Sequence, residues 1–307
     1  MERRAFLRAL AQLGALGALA PGPRLPAAQP AAAGAAGRVT LLHTNDTHSR
    51  IEPFGPGSGR LTGLGGIARR ATLARQIRKA IPGALLLDAG DVFQGTPYFN
   101  RYKGFLDFKL MSMCGYDAGT LGNHDFDNGV AGLVAALAQA DFPILNCNLD
   151  TRGAPALGQK LRPWLVKEAA GIRVGITGVC VDFKDLVARD NHAGVDWRDP
   201  LETLGPVVAR LRGAERADLV VLLSHLGYDR QGEALDDLAL ARRVPGIDVI
   251  IGGHTHTFLD APVRVEDTVI FQVGFAGVNL GRLDLAVARG RQVACSGLVL
   301  PVTARVG

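Results

Sequence analysis

The stretch Leu219-Val220-Val221-Leu222-Leu223-Ser224-His225 is an apolar run that ends on a histidine. It is one of five apolar runs in the chain that lead into side chains of the kind that bind metal ions. Each run is followed at once by side chains that bind metal ions. The five apolar runs are Val39–Leu42, Ala84–Leu87, Asp117–Leu121, Leu219–Leu223 and Ile247–Ile251. The segments that follow them are Asp46-Thr47-His48, Gly90-Asp91, Gly122-Asn123-His124-Asp125, Ser224-His225 and Gly252-Gly253-His254-Thr255-His256. Because ligands of open α/β sheets bind outside the carboxyl ends of the strands, we expect these segments to meet at one rim of a sheet.

Helix-like segments alternate with these strand-like runs, which predicts an α/β fold with largely parallel strands. A hairpin is expected where Lys160–Glu168 is followed by Gly171–Val179, and short strands are expected after Pro262. These two regions predict a second sheet that is more antiparallel. The predicted helices are Gly65–Ala80, Gly104–Met113, Gly129–Ala140, Leu201–Arg212 and Glu233–Arg243.

The amino terminus has the pattern of an export signal. Arg3-Arg4 precedes a charge-free run from Ala9 to Pro23, and small residues continue to Gly37. This order of regions predicts a signal peptide over residues 1–37 and a catalytic domain over 38–307. The paired arginines favour the route that exports folded proteins, with an ordinary secretory signal as the alternative. Glycines and prolines interrupt the run, so we expect an exported, periplasmic or extracellular protein without a stable membrane anchor.

Charge and cysteine content exclude two classes of protein. Removing the four basic residues and one acidic residue of segment 1–37 lowers the net charge from +5 to +2. No stripe of lysine and arginine interleaved with aromatic residues is present, so we expect no nucleic-acid partner. The four cysteines form no C-x-x-C pair, which disfavours a zinc–thiolate site and favours buried free thiols.

The candidate ligands combine aspartate, asparagine and histidine without thiolate, a set that suits Zn, Mn or Fe. Asp46 and His48 are two residues apart, as are His254 and His256, so on an extended backbone each pair points to one side. The ligands are too many for one ion. The sequence therefore predicts two divalent ions that share a carboxylate, a geometry suited to phosphoryl hydrolysis.

These motifs resemble those of the calcineurin-like metallophosphoesterases, and Thr44–His48 with Gly122–Asp127 is most similar to the 5′-nucleotidase/UDP-sugar hydrolase branch. The resemblance covers most of residues 38–290. It implies a four-layer α/β/β/α sandwich of two mixed sheets flanked by helices. It also implies hydrolysis of a phosphate ester by a hydroxide held on two metal ions that attacks phosphorus in line, without a covalent intermediate.

The resemblance also implies a role for each matching residue. His124 would lie at the phosphoryl group, where it would stabilise charge or protonate the leaving oxygen, and Asp127 would orient its imidazole. Asp91 would bridge the two ions. The first ion would be held by Asp46, His48, Asp91 and His256, and the second by Asp91, Asn123, His225 and His254.

Two departures from the family pattern leave the substrate open. Some nucleotidases of this branch carry glutamine where this chain has His256. The family's nucleotidases also have a carboxyl-terminal domain that recognises the base, and none is visible before Gly307. We expect a small-molecule substrate, with 5′-nucleotides first. The alternatives are 2′,3′-cyclic nucleotides, nucleotide sugars, more distantly a thiosulfate ester on a carrier protein, and a catalytic subunit that needs a separate carboxyl-terminal-domain partner.

Other polar residues near these motifs have simpler interpretations. His43 is expected to be a core residue or a neighbour of the ligands, and His192 to face solvent. Asp88 is expected to be structural, and Asp125 to stabilise a turn. The segment Tyr98–Tyr102 is interpreted equally well as a pocket wall or as a packed loop.

Overall fold

The computed structural model describes residues 37–232, 235–288 and 291–306. The predicted export signal therefore lies outside the described residues, apart from Gly37, which opens the first strand, and it stays a prediction. Within the described part of the chain, no helix combines the length and the apolar character needed to cross a membrane.

The first of two large sheets has seven strands and contains the first three ligand-bearing strands. One strand, β14 (Asn279–Ala288), runs antiparallel to both of its neighbours, and the other strands of the sheet pair in parallel. In spatial order the strands are β15 (Arg291–Pro301), β14, β1 (Gly37–Thr44), β2 (Leu85–Asp88), β3 (Ala118–Gly119), β4 (Ile144–Leu145) and β6 (Leu161–Arg162).

The second sheet has six strands and contains the other two ligand-bearing strands. Its four central strands are parallel, and only the edge strands are antiparallel. Its order is β12 (Val263–Val265), β13 (Thr268–Phe271), β11 (Val249–Gly252), β10 (Leu219–His225), β8 (Ile172–Cys180) and β7 (Trp164–Ala169). A small pair is formed by β5 (Leu149–Asp150) and β9 (Asp196–Trp197).

Helices cover the outer faces of both sheets, which confirms the predicted α/β/β/α sandwich. Four of the five predicted helices are found within a few residues of their expected bounds. The helices are α1 (Ile67–Ala80), α2 (Pro97–Tyr102), α3 (Phe105–Cys114), α4 (Gly129–Leu137), α5 (Pro155–Gly158), α6 (Pro200–Arg212) and α7 (Asp237–Arg243).

Two helices differ from the sequence prediction. Helix α7 begins at Asp237 rather than at residue 233, because the carboxylate of Asp236 accepts a hydrogen bond from the Ala239 N–H at 2.8 Å and caps the helix there. The segment Tyr98–Tyr102 is helical, with Phe99 buried and Tyr102 exposed. Pro97 at the first helical position favours this start, since its missing N–H would have no partner there.

The core has two layers because the central strands are buried on both faces. On β10, Leu219, Val221 and Leu223 pack between the two sheets, whereas Val220 and Leu222 pack against the helices. Burial of both faces explains why the strands read as continuous apolar runs rather than as alternating patterns.

The expectation that one sheet carries all five ligand-bearing strands is wrong, and the expectation for the late strands is met by β12 and β13 but not by β14 and β15. The five ligand-bearing strands are divided between the two sheets, and the ends of both sheets meet at one edge of the sandwich. Strands β14 and β15 pair next to β1 in the first sheet instead of joining the second. The predicted hairpin is present as β7 and β8, but at the edge of a mainly parallel sheet.

The two-sided burial predicts that Leu219→Ala and Leu222→Ala destabilise the protein equally. Each leucine is fully buried, on opposite faces of β10, so each substitution should cost about 2–5 kcal/mol of the free energy of unfolding. Urea denaturation of the purified chain measures both values. Leu186→Ala is the control, because that side chain is 41% exposed and its loss should cost under about 0.5 kcal/mol. A small cost for one leucine alone would contradict burial of both faces.

Candidate metal centre

Hydrogen bonds between loops bring the ends of the strands together. The loop after β1 is bonded to the loop after β2, since Asp46 N donates to Gly90 O at 2.9 Å and His48 N donates to Asp91 O at 3.1 Å. The side chains then join further loops. Asp91 Oδ1 accepts from His124 N at 2.8 Å, and Asp46 Oδ1 accepts from His254 N at 2.9 Å.

These loops place the predicted ligands in two adjacent clusters. One cluster contains Asp46, His48 and His256, and the other contains Asp91, His225 and His254. Within each cluster the candidate ligand atoms lie within 4.8 Å of one another. Asn123 extends the second cluster, since its Oδ1 atom lies 2.9 Å from His254 Nδ1. The structure thus brings together all seven residues that the sequence predicts as ligands.

Asp91 lies between the two clusters. Its Oδ2 atom is 3.1 Å from His225 Nε2 and 4.0 Å from His48 Nε2, so one carboxylate faces histidines of both clusters. Asp46 is also close to both, since its Oδ1 atom lies 3.6 Å from His256 Nε2 and 3.9 Å from His225 Nε2. This is the arrangement that a shared carboxylate between two cations requires.

Backbone carbonyls orient two of the imidazoles. Nδ1 of His48 lies 3.0 Å from Phe93 O, and Nδ1 of His225 lies 2.7 Å from Ala89 O. A carbonyl oxygen only accepts, so each Nδ1 donates. Nε2 is then the nitrogen of each ring that faces the cluster, as in metal-binding histidines whose second nitrogen is fixed by a hydrogen bond.

The buried charges of the centre shift the pKa values of its residues. Burial raises the pKa of Asp46 to about 8. Burial acts in the same direction on Asp91, but the charges of His225 and His48 outweigh it and hold the pKa of Asp91 below its usual range. Burial lowers the pKa of His254 to about 3 and that of His256 to about 4. Both imidazoles are therefore neutral near pH 7, the form that binds metal.

The backbone of the centre is strained. Five of the seven predicted ligands have positive φ angles, which non-glycine residues rarely adopt. Gly122 is needed for another reason, because a Cβ atom there would lie 2.1 Å from Asp91 Oδ1 and 2.5 Å from His225 Nε2. The strained ligands are Asp46 (50°), His48 (47°), Asp91 (54°), His254 (71°) and His256 (52°).

The donors present fit two divalent cations. His225 Nε2 is fully buried and makes no hydrogen bond with the described residues, although it faces Asp91. A buried polar atom without a partner is costly, and a cation coordinated there would remove that cost. Carboxylate, amide and imidazole donors without thiolate match Zn, Mn or Fe.

His124 and Asp127 form a hydrogen-bonded pair beside the clusters. His124 Nδ1 lies 2.9 Å from Asp127 Oδ2, and the two side chains are 35% and 28% exposed. This hydrogen bond raises the pKa of His124, which favours its charged form. The centre thus has a partly exposed acid next to its buried ligands.

The Asp125 carboxylate has a structural role. It accepts hydrogen bonds from the backbone N–H groups of Asp91, Val92, Phe93 and Gly122, at 2.8–3.2 Å. It clamps the loop after β2 to the loop after β3, a wider role than the predicted turn.

Asp88 is structural as predicted, and it accepts from Thr44 Oγ1 and Gly90 N. His43 is a core residue whose ring edge packs on Phe271, and neither of its nitrogens makes a hydrogen bond with the described residues. His192 is half-buried against Phe183, so the expectation that it faces solvent is wrong. All four cysteines are free thiols.

Sequence reasoning missed two residues of the centre. The Asn45 amide donates to Asp46 Oδ2 at 2.6 Å and to Gly274 O at 2.5 Å. Phe275 stacks on His256, with ring centroids 5.1 Å apart. Asn45 precedes a ligand directly, which is a weak signal. For Phe275 the sequence carries no signal, because the contact joins two loops.

Comparison with known proteins agrees with this geometry. The sequence profile of the calcineurin-like phosphoesterases matches residues 39–258. The 5′-nucleotidase of Rattus norvegicus is 39% identical over 228 residues, which are 72% of this chain and 38% of that enzyme. A trifunctional nucleotide phosphoesterase of Bacillus subtilis is 33% identical over 282 residues, covering 81% of this chain and 18% of that protein.

A solved structure shows the same fold. The 5′-nucleotidase precursor of Thermus thermophilus superimposes with a TM-score of 0.79 at 36% identity, over 88% of this chain and 55% of that one. The chain therefore spans about two fifths of the length of the rat nucleotidase and about half of the Thermus protein. From its profile and its fold, the chain belongs to the calcineurin-like phosphoesterases and is related to 5′-nucleotidases.

Proposed function

We propose that this protein hydrolyses phosphate monoesters, with 5′-nucleotides as substrates, at a centre of two divalent cations. The observation that carries the proposal is the pair of ligand clusters that meet at Asp91, with His124 and Asp127 beside them. Two cations held by these clusters would neutralise charge on the phosphoryl group and would provide a water nucleophile near neutral pH.

The seven clustered residues divide into two ligand sets in this proposal. Asp91 belongs to both sets in this proposal, since its Oδ2 atom lies 3.1 Å from His225 Nε2 and 4.0 Å from His48 Nε2, and Asp46, which also lies near both clusters, is assigned to the first set. The first cation is held by Asp46, His48, Asp91 and His256. The second is held by Asp91, Asn123, His225 and His254.

His124 acts on the substrate rather than on the metals. Because Asp127 holds its Nδ1 atom, Nε2 is left for the phosphoryl group or the leaving oxygen. The raised pKa of His124 keeps the imidazole charged at higher pH than a free histidine. A charged imidazole stabilises negative charge on the phosphoryl oxygens and can give its proton to the leaving oxygen.

The names of the relatives favour nucleotides, and one of them supports an alternative. Several relatives are 5′-nucleotidases, which points to nucleoside monophosphates. The Bacillus subtilis relative is a trifunctional nucleotide phosphoesterase, so hydrolysis of cyclic nucleotides or nucleotide sugars is the second candidate. Since the chain matches only part of these proteins, recognition of the base by a separate carboxyl-terminal-domain protein is the alternative to recognition by the chain itself.

Phosphate release from four substrates tests the proposed specificity. The purified chain, reconstituted with Mn or Zn, is compared on AMP, a 2′,3′-cyclic nucleotide, UDP-glucose and an aryl phosphate. We expect AMP to give the highest kcat/KM. A preference for the cyclic nucleotide or UDP-glucose would replace the monoester proposal with a diesterase, and weak turnover of all four would indicate that a partner supplies specificity.

Asp91→Ala should remove both metal ions and the activity together. The carboxylate is the one proposed ligand common to both cations, so its loss leaves both sites incomplete. Metal content per chain by elemental analysis measures the effect, with circular dichroism to verify folding. Asp127→Asn is the matched control and should keep both ions, since the Asp127 carboxylate bonds to His124 rather than to a ligand. Retention of two ions by Asp91→Ala would refute the shared-carboxylate arrangement.

His124→Ala should leave both ions bound and lower kcat by roughly 10²–10⁴-fold on AMP, the range for a positioned acid–base group. If His124 protonates the leaving oxygen, the loss should be much smaller on 4-nitrophenyl phosphate, whose leaving group needs no proton. Equal losses on both substrates would assign His124 to the phosphoryl charge instead. His192→Ala is the control, because that histidine packs on Phe183 and belongs to neither ligand cluster. Loss of metal from His124→Ala would contradict its role on the substrate.

A further inference from the structure

His256 differs from His48 and His225 because no hydrogen bond at Nδ1 fixes its ring, and its one hydrogen bond among the described residues joins its Nε2 to the Nε2 of His48. Nδ1 of His48 and of His225 is bonded to a backbone carbonyl, whereas Nδ1 of His254 faces Asn123 Oδ1, the side chain of another predicted ligand, at 2.9 Å. The Nδ1 atom of His256 has no hydrogen-bond partner among the described residues. Its Nε2 atom faces His48 Nε2 at 2.9 Å, and its side chain is 40% exposed. An exposed ring without this hydrogen bond needs another contact to hold it in one orientation.

Phe275 provides such a contact. The rings of Phe275 and His256 are stacked, with centroids 5.1 Å apart and planes inclined by 9°. The other ring contacts of the centre are edge-on, with planes at 62–73°. Stacked and edge-on arrangements are both favourable for aromatic rings, and of these contacts only the stack with Phe275 lies across the face of the His256 imidazole.

The loop that carries Phe275 is itself bound to both sides of the first cluster. Ala276 N donates to Asp46 O at 2.7 Å, and the Asn45 amide donates to Gly274 O. Gly274 N donates to Thr257 O at 2.9 Å, which ties the loop to the residue after His256. These hydrogen bonds fix the position of the phenyl ring relative to the loop that carries Asp46 and relative to His256, on which the ring stacks.

We propose that Phe275 is a positioning residue that fixes the imidazole of His256 for the first cation, in place of the backbone hydrogen bond that His48 and His225 have at Nδ1. The inference rests on the proposed two-cation centre and adds a residue that does not itself coordinate. Removing a group that orients a metal ligand lowers metal affinity by about 10–100-fold. The loss should be confined to the first site, since the ring of Phe275 stacks on a ligand of the first cluster.

Metal titration of Phe275 variants tests the inference. The full chain is stripped with a chelator and titrated with Mn²⁺, and isothermal calorimetry gives the affinity of each site. Phe275→Ala should weaken one of two sites by about 10–100-fold and leave the other unchanged. Phe275→Leu fills space without a ring plane, so it should weaken Mn²⁺ binding at the same site by a similar factor. Phe275→Tyr keeps the ring and should bind Mn²⁺ at both sites as the unaltered chain does.

Phe258→Ala is the matched control. Phe258 is an exposed phenylalanine two residues after His256, and its ring stacks on no ligand among the described residues, so both sites should bind as in the unaltered chain. The thermal midpoint of each metal-free variant shows whether the fold is retained.

Three outcomes would overturn the inference. Unchanged affinity in Phe275→Ala would show that the stack does not position His256. Full binding by Phe275→Leu would show that side-chain volume, not the ring plane, is what matters. Equal weakening of both sites would indicate general loosening. Binding of fewer than two ions by the unaltered chain is a different result, because it would overturn the proposed two-cation centre and the inference with it.

Discussion

The structure depends on holding seven ligand side chains against one another at the edge of a two-sheet core. Two fully buried carboxylates, Asp46 and Asp91, face each other across histidine rings. Five ligands also have left-handed backbone angles, each costing on the order of 1–3 kcal/mol. Together these costs are large beside a net stability of about 5–15 kcal/mol, so the surrounding structure must impose the arrangement. Cations bound there, as proposed, would compensate the charge and so couple metal binding to folding.

Two features of the fold hold the ligand side chains in this arrangement: the buried strands and the hydrogen bonds between the loops at their ends. The central strands of the two sheets are buried on both faces, so their ends cannot shift without opening the core. The loops beyond the ends are then joined to one another. Asp125 clamps the loops after β2 and β3, Asn45 joins the loop after β1 to Gly274, and Asp46 itself accepts the His254 N–H. The ligands therefore act as part of their own scaffold, since the Asp46 and Asp91 carboxylates each accept a backbone hydrogen bond besides facing a cation site.

The sequence located the residues that cluster in the structure because each is attached to a local signal, an apolar strand followed by a polar turn. It could not assign strands to sheets, because a strand buried on both faces reads the same in either sheet, and the pairing of β14 with β1 joins residues far apart in the chain. The start of α7 was misplaced because the capping role of Asp236 depends on where the preceding loop leads. Phe275 was missed for the same reason, since stacking needs two loops in their folded positions.

The two clusters differ in their exposure to solvent, and this difference bears on their chemistry. Asp91 and His225 of the second cluster are buried, whereas His256 of the first is 40% exposed. His124 and Asp127 are also partly exposed. On the proposed function, a substrate that approaches from the exposed side would meet the first cluster and His124 together. The partly exposed ring of His256 cannot be fixed by deep burial. A hydrogen bond from its Nδ1 atom would require a polar partner at the exposed edge of the centre. An aromatic stack supplies orientation there without placing a further charge or hydrogen-bonding group next to the incoming phosphate.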